Sequence, residues 1–166
     1  MSENSTGTDG SASRVESKLA ELGLSLPGVP TPLAAYVPAV KSGSYVYTSG
    51  QLPMVDGALV EAGVVGDEEG DISVERGAEL ARICALNALA AVKSQVGDLD
   101  RIRVVKVVGF VASRPGFGGQ PKVVNGASEL LGEALGEHGV HARSAVGVAA
   151  LPLNAPVEVE LTVEVL

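Results

Sequence analysis

The C-terminal stretch Val157 to Val165 reads VEVELTVEV, with five aliphatic residues strictly alternating with Glu158, Glu160, Thr162 and Glu164. Successive side chains of a strand point to opposite faces. This segment therefore folds as a strand with one apolar face to be covered and one acid-bearing face left over. The chain has to supply that cover, and helices are the available cover.

Two long stretches have helical character. Ser73 can cap a long helix running to about Val96, with Glu75 and Glu79 early, where the helix dipole favours acids, and Gly97 as its stop. Pro121 opens a second helix to about His138, in the first-turn position where its missing N–H does no harm. Between them, Arg103 to Ala112 is a β-branched run and reads as a strand, and SRPGFGGQ, Ser113 to Gln120, is a flexible loop that could close over a pocket. Strands at Arg143–Leu151 and Val157–Val165 finish the chain.

Upstream, Ala34–Val40 and Ser44–Ser49 form a strand pair around the turn Lys41-Ser42-Gly43, ended by Gln51-Leu52-Pro53. An acidic, Gly-rich meander from Asp56 to Asp71 has room for one short strand near Leu59. Val15–Leu24 has apolar residues at helical spacing, and Ser25–Pro32 is a Pro-rich connector. Met1 to Ser13 is rich in Ser, Gly and Thr, which predicts a disordered tail (1–13) before a single domain (14–166). The element order ββ(β)αβαββ is α+β, with two helices on one face of a mixed, mostly antiparallel sheet.

Composition narrows the function. With 3% aromatic residues and no Trp, Val, Ala and Leu must build the core, and burial of further surface by assembly would help it. The net charge of −8 and the lack of basic runs work against nucleic-acid binding. One cysteine, Cys84, excludes an intrachain disulfide and a Cys-based zinc site, and its apolar helix predicts an inert core thiol. No apolar run approaches membrane-spanning length and no signal-peptide pattern opens the chain, so a cytoplasmic protein is expected.

The candidate chemistry gathers in HARSAVGVAALPLNAPVEVEL, His141 to Leu161. Arg143 opens a small, apolar strand, and a guanidinium at such an edge is a carboxylate receptor through its planar fork. Glu158 is a candidate to orient or activate water, although the same strand pattern is equally that of a solvated face. A simple hairpin across LNAP would set Arg143 opposite Glu164 and Glu158 near Ala149. The pair would then lie about 20 Å apart, so a shared Arg143–Glu158 site would need a second subunit.

Asn87 shares a helix face with Leu80, Ile83 and Ala90, so its amide is expected to bond a strand or loop backbone. Ser49-Gly50-Gln51 lets backbone approach a ligand. Tyr36 is read as a core strand aromatic or an acid–base hydroxyl. His138 and His141, three residues apart around a glycine, lack the third ligand that a metal site needs.

Together these motifs resemble the Rid family, the YjgF-type reactive-intermediate deaminases, also called the L-PSP family. YVPAVKSGSYVYTSGQLP (Tyr36–Pro53) is similar to its first strand pair and SGQ-x-P signature, and Asn87 falls on its helix asparagine. GFV (109–111) and Asn125 match the next strand and the start of the second helix, and HARSAVGVAALP with VEVE matches its C-terminal signatures.

The resemblance implies a chorismate-mutase-like fold and a homotrimer with clefts between subunits. Those clefts would hydrolyse 2-imino or 2-enamino acids to 2-oxo acids and ammonia, with no metal or organic cofactor. It implies that Arg143 grips the carboxylate, Glu158 holds the attacking water, Tyr36 lines the cleft, and Ser49 and Gly50 offer backbone. Asn125 would contact substrate, and Asn87 would be structural. Three departures mark a divergent branch with an extra N-terminal helix. His141 stands where a proline usually precedes A-R-S, and the loop before the second helix is long and lacks the usual aromatic. Ala145 stands where a cysteine is frequent, leaving only its backbone N–H to contribute. Two other readings follow: a non-catalytic carboxylate binder using the same clefts, and the family's RNA-cleaving activity, which the charge disfavours.

Overall fold

The computed structural model describes residues 12–29 and 35–166, so the tail expected over 1–13 lies almost wholly outside the described residues. Helix α1, Arg14–Glu21, starts at Ser13, whose hydroxyl accepts from the Glu16 amide. The Asp100 carboxylate accepts from the Arg14 and Val15 amides, at 2.8 and 2.9 Å, and so fills the remaining capping need. Val15 and Leu19 are the buried face that docks this helix.

Strands β1 (Ala39–Ser42) and β2 (Tyr45–Thr48) form a hairpin. Its turn is Gly43-Ser44, with Gly43 at φ +59°, so the first strand lies later than the 34–40 expected, and residues 35–38 approach it outside the strand ladder. Residue 34 lies outside the described residues. The meander contains a two-strand ribbon, β3 (Met54–Val55) and β4 (Ala58–Leu59), around Asp56-Gly57. Both turn residues have positive φ, the conformation that an Asp-Gly hairpin selects.

Helix α2 spans Val74–Val96, with Ser73 accepting from the Arg76 amide and Gly97 closing the helix at φ +77°, as the sequence predicts. Strand β5 runs Ile102–Ala112, helix α3 Gln120–Leu135, strand β6 Ala142–Val148 and strand β7 Val157–Val165. The main sheet has the order β1-β2-β7-β5-β6, with β5 and β6 parallel and the other neighbours antiparallel.

Helices α2 and α3 cover one face and cross closely. A Cβ on Gly126 would lie 1.8 Å from the Ala78 carbonyl oxygen, so only glycine permits this approach. Val157, Val159, Leu161 and Val163 are buried beneath the helices, as the alternation requires.

The expected hairpin of the last two strands does not form. A helix the length of α3 makes a crossover that lays β6 parallel beside β5. Strand β7 then has to take β5's other edge, and a turn at Pro152–Asn154 carries the chain there. Arg143 consequently pairs laterally with Val107 rather than with Glu164, and Glu158 pairs with Phe110 rather than with Ala149.

Candidate functional site

Register decides where the charges go. Arg143, Val107 and Leu161 lie side by side across β6, β5 and β7, on the helix-covered face. Val146, Phe110 and Glu158 form a second such row, three residues along and on the opposite face. Arg143 and Glu158 are thus on opposite faces, about 10 Å apart along the strands and about 10 Å across them. They do not share a cleft within one chain. The hairpin register and its spacing of about 20 Å are replaced: the two charges are kept apart by facing opposite sides of the sheet.

Arg143 projects from the edge strand over the first turns of α3. Its Nη1 donates to Asn125 Oδ1 at 2.8 Å and to Ser128 Oγ at 3.1 Å, and its Nη2 donates to the Pro121 carbonyl at 3.3 Å. Pro121, Asn125 and Ser128 recur at helical spacing, so one face of α3 supplies all three acceptors. A guanidinium has five N–H groups. Both on Nη1 and one on Nη2 are taken, which leaves Nε–H and the second Nη2–H. All three acceptors are neutral, and Arg143 enters no ion pair among the described residues. A partly buried cation is therefore held in place without its charge being balanced.

His141 lies behind this cluster, its Nε2 2.9 Å from Ser128 Oγ and its Nδ1 bonded to the Gly139 carbonyl. Both ring nitrogens are engaged within the protein. Among the described residues no three His, Cys, Asp or Glu side chains converge on a metal site. Ala145, two residues beyond Arg143 on the same face, packs against the core.

The second group of expected site residues assembles at the end of β2. Ser49 Oγ donates to the Val37 carbonyl at 2.6 Å and Ser49 N to Pro38 O at 2.8 Å, which holds the Tyr36 segment against Ser49 and Gly50. Tyr36 itself is 63% exposed, so the expected core packing is corrected: the ring sits on the approach to β1, outside the strand ladder, free to face a ligand or another protein.

Beyond Thr48 the ladder bulges, and Gln51 resumes pairing with Val159. Gly50 lies at this bulge, against Glu158: a Cβ there would fall 1.8 Å from Glu158 Oε1. Glu158 is half-buried, and no hydrogen bond reaches its carboxylate among the described residues. Burial first, and then the charge of Glu160, raise its pKa above the usual carboxylate value. A carboxyl shifted in this direction holds its proton more firmly than an ordinary carboxylate, and once ionised it is the stronger base.

Asn87 anchors the same region from α2, its Nδ2 donating to the carbonyls of Leu52 and Met54, each at 3.0 Å, as expected of a structural amide. Cys84 is fully buried, and desolvation, then the charge of Glu158, push its thiol well up, as an inert core thiol requires. The loop 113–120 is tied at both ends. Arg114 forks onto Asp71, with Nε to Oδ2 and Nη2 to Oδ1 both at 2.8 Å, and Gln120 donates to the Phe117 carbonyl at 2.7 Å. The hydrogen-bonded Arg114 guanidinium holds the Asp71 carboxyl below its ordinary value, against the opposing effect of burial.

The chain matches, over residues 16–165, the family model described as "YjgF/chorismate_mutase-like, putative endoribonuclease". It belongs to the YjgF/chorismate-mutase-like family. Protein TCP17 of Trypanosoma cruzi is 44% identical over 153 residues, 91% of this chain and 94% of that protein. The crystal structure of Atu1372 from Agrobacterium tumefaciens, a protein of unknown function, is 47% identical with a TM-score of 0.84, covering 92% of each chain. The YjgF gene product of E. coli is 27% identical with a TM-score of 0.58, over 83% of this chain and 93% of that one. The chain is thus a member of the YjgF/L-PSP group with an α+β fold, nearer to Atu1372 than to YjgF itself. None of the helices among the described residues is long and apolar enough to cross a membrane.

Sequence reasoning did not single out Ser128, a helix serine with no motif around it. The only signal was its spacing of three from Asn125, which places both on the helix face below β6.

Proposed function

We propose that this protein hydrolyses small 2-imino and 2-enamino acids to 2-oxo acids and ammonia, in clefts formed between protomers of a homotrimer. The observation that carries the reading is Arg143: a fixed, partly buried cation with only neutral partners and one N–H left on each of Nε and Nη2. That pair matches the two oxygens of a carboxylate.

Because Arg143 and Glu158 face opposite sides of one sheet, a complete site takes Arg143, Asn125 and the Ala145 backbone from one protomer. It takes Tyr36, Ser49, Gly50 and Glu158 from the next. The uncovered sheet face supports such packing, since Val40, Tyr45, Tyr47 and Val146 are each 39–52% exposed on it.

In the reaction, water adds to the imine carbon, whose electrophilicity the protonated nitrogen provides while Arg143 offsets the charge of the adjacent carboxylate. Glu158 accepts a proton from the attacking water and returns it to nitrogen. The carbinolamine then collapses: its hydroxyl gives a proton to Glu158 as the C–N bond breaks, and the 2-oxo acid and ammonia leave, the ammonia taking that proton as ammonium. Nothing in this sequence of steps needs a metal or an organic cofactor, and the chemistry is compatible with a cytoplasmic setting.

The test has two parts. 2-Iminobutanoate, made in place by an amino-acid dehydratase, should decay faster with the protein than without it. Arg143→Ala and Glu158→Gln should each abolish the acceleration, and mixed oligomers of the two variants should regain part of it. Mixed oligomers that stay inactive would sink the shared cleft. If the wild type binds 2-oxobutanoate without accelerating imine decay, the chain is a carboxylate binder instead. Ala145, which offers no side-chain function, is the residue that favours that second reading.

A further inference from the structure

A chain of hydrogen bonds leads away from Arg143, and its direction is fixed from the far end. Gly139 is buried against α3, and a Cβ there would meet the Leu131 carbonyl oxygen at 2.2 Å, so its backbone has little room to move. Its carbonyl can only accept, so His141 Nδ1 carries the ring proton. In the neutral imidazole Nε2 is then bare and takes the Ser128 hydroxyl proton at 2.9 Å. Ser128 Oγ consequently turns lone-pair density towards Arg143 Nη1 at 3.1 Å.

Without that acceptor, a helical serine hydroxyl is free to bond back to the carbonyl four residues earlier, here that of Val124. The chain thus keeps Ser128 out of a competing rotamer and dedicates its oxygen to the guanidinium.

We infer that Ser128 and His141 are positioning residues for Arg143, forming a relay that restricts the receptor to one planar monocarboxylate held edge-on. The inference rests on the carboxylate-receptor reading above and deepens it. With Nη1 saturated by Ser128 and Asn125, and Nη2 half-used by Pro121, a single two-donor edge is left. A 2-imino or 2-oxo monocarboxylate fills that edge. A phosphate or a second carboxylate finds no further donor on Arg143. Because the guanidinium is fixed before the ligand arrives, the ordering cost falls on folding rather than on binding.

The full-length protein can be titrated calorimetrically with 2-oxobutanoate, with succinate and inorganic phosphate as comparisons. Wild type should bind 2-oxobutanoate and prefer it to both comparisons. Ser128→Ala and His141→Ala should each weaken binding about tenfold, the loss expected for one hydrogen bond to a charged group. The double variant should lose little more, because the two act as one unit. Ser128→Thr, which keeps the hydroxyl, and His141→Gln, which keeps an acceptor, should stay within about threefold of wild type.

Nitrogen-edited NMR of the ligand-free protein gives a readout independent of affinity. The His141 ring should show Nδ1–H with Nε2 unprotonated, and the Arg143 Nη1 protons should be resolved in wild type and averaged in Ser128→Ala. If Ser128→Ala and His141→Ala bind like wild type while Arg143→Ala loses binding, the relay is overturned and the receptor stands. Should neither wild type nor Arg143→Ala bind, the receptor reading falls and takes the relay with it. Unchanged Arg143 signals in Ser128→Ala overturn the relay even if that variant binds more weakly.

Discussion

The β6 edge and the end of β2 carry the two groups of candidate site residues, and they are built in opposite ways. At the edge, Arg143 is held by three neutral acceptors from one helix face, with His141 fixing one of them from behind. At the end of β2, Glu158 has no hydrogen bond among the described residues, and its place is set by contact with Gly50. The first group is finished within the chain. The second is shaped but left to be completed by water, ligand or a neighbouring protomer. A receptor needs a fixed geometry, whereas a proton acceptor needs a poorly solvated carboxylate that can change its charge, so the difference follows the two jobs.

The largest effect should come from Arg143→Lys. An ammonium is a point charge without a planar fork, and it cannot reach three acceptors and still present two parallel donors. Affinity for 2-oxobutanoate should fall about 100-fold, roughly 2.7 kcal/mol, with the thermal midpoint close to wild type. If lysine binds nearly as well, charge alone makes the receptor, and the contrast between a wired and an unwired half loses its meaning.

Gly50→Ala probes the other half. The added methyl would occupy the space of the Glu158 carboxyl, and the side chain is flexible enough to swing away. Stability should drop by about 1 kcal/mol, since little backbone has to move. Imine hydrolysis should fall at least about tenfold while 2-oxobutanoate binding holds. Equal losses of binding and turnover would show that the two groups are one unit.

Asn87→Ala acts on the same half from behind. Removing its amide takes a donor from the Leu52 and Met54 carbonyls, the first of which keeps only the Met54 amide, and both follow closely on the Gly50 bulge. The expected cost is about 1–2 kcal/mol, or about 3–6 °C in the thermal midpoint of a domain this size. Carboxylate binding should be unaffected, because α3 and β6 make no use of Asn87.

These contrasts were legible in the sequence to different degrees. The valine and glutamate alternation of β7 is an unambiguous period, so the covered face and the acid face follow from it directly. The caps Ser73 and Gly97 likewise fix α2, because each has one chemical use at its position. The partner of β7 was not legible. Strand pairing depends on where a crossover helix delivers the next strand, and a short loop suggested a hairpin that the parallel β5–β6 pair excludes. Arg143 was visible as a cation in an apolar setting, but its partners lie 15 to 22 residues upstream on a helix face, and only folding brings them together. Tyr36 misled for a related reason: an aromatic beside a strand signals a core only when the strand extends to it, and β1 begins three residues later.

The smallest effect separates the two halves by pH. Burial, and then Glu160, raise the folded pKa of Glu158 above its value in the unfolded chain. The stability tied to its protonated form is therefore complete below the ordinary carboxylate range and is lost as pH rises through the raised value. Above that point the ionised carboxylate is a net cost, which Glu158→Gln removes. The variant should melt about 1–2 °C higher than wild type near pH 7.5, a modest gain because the group is only half-buried, and identically near pH 4. Cys84 should stay unreactive towards a thiol reagent in both proteins, since burial, the larger cause of its raised pKa, is untouched by the substitution. A lower melting point for Glu158→Gln at pH 7.5 would break the comparison. It would show that a cation supplied by the assembly holds the carboxylate, and that the second half is as fully wired as the first.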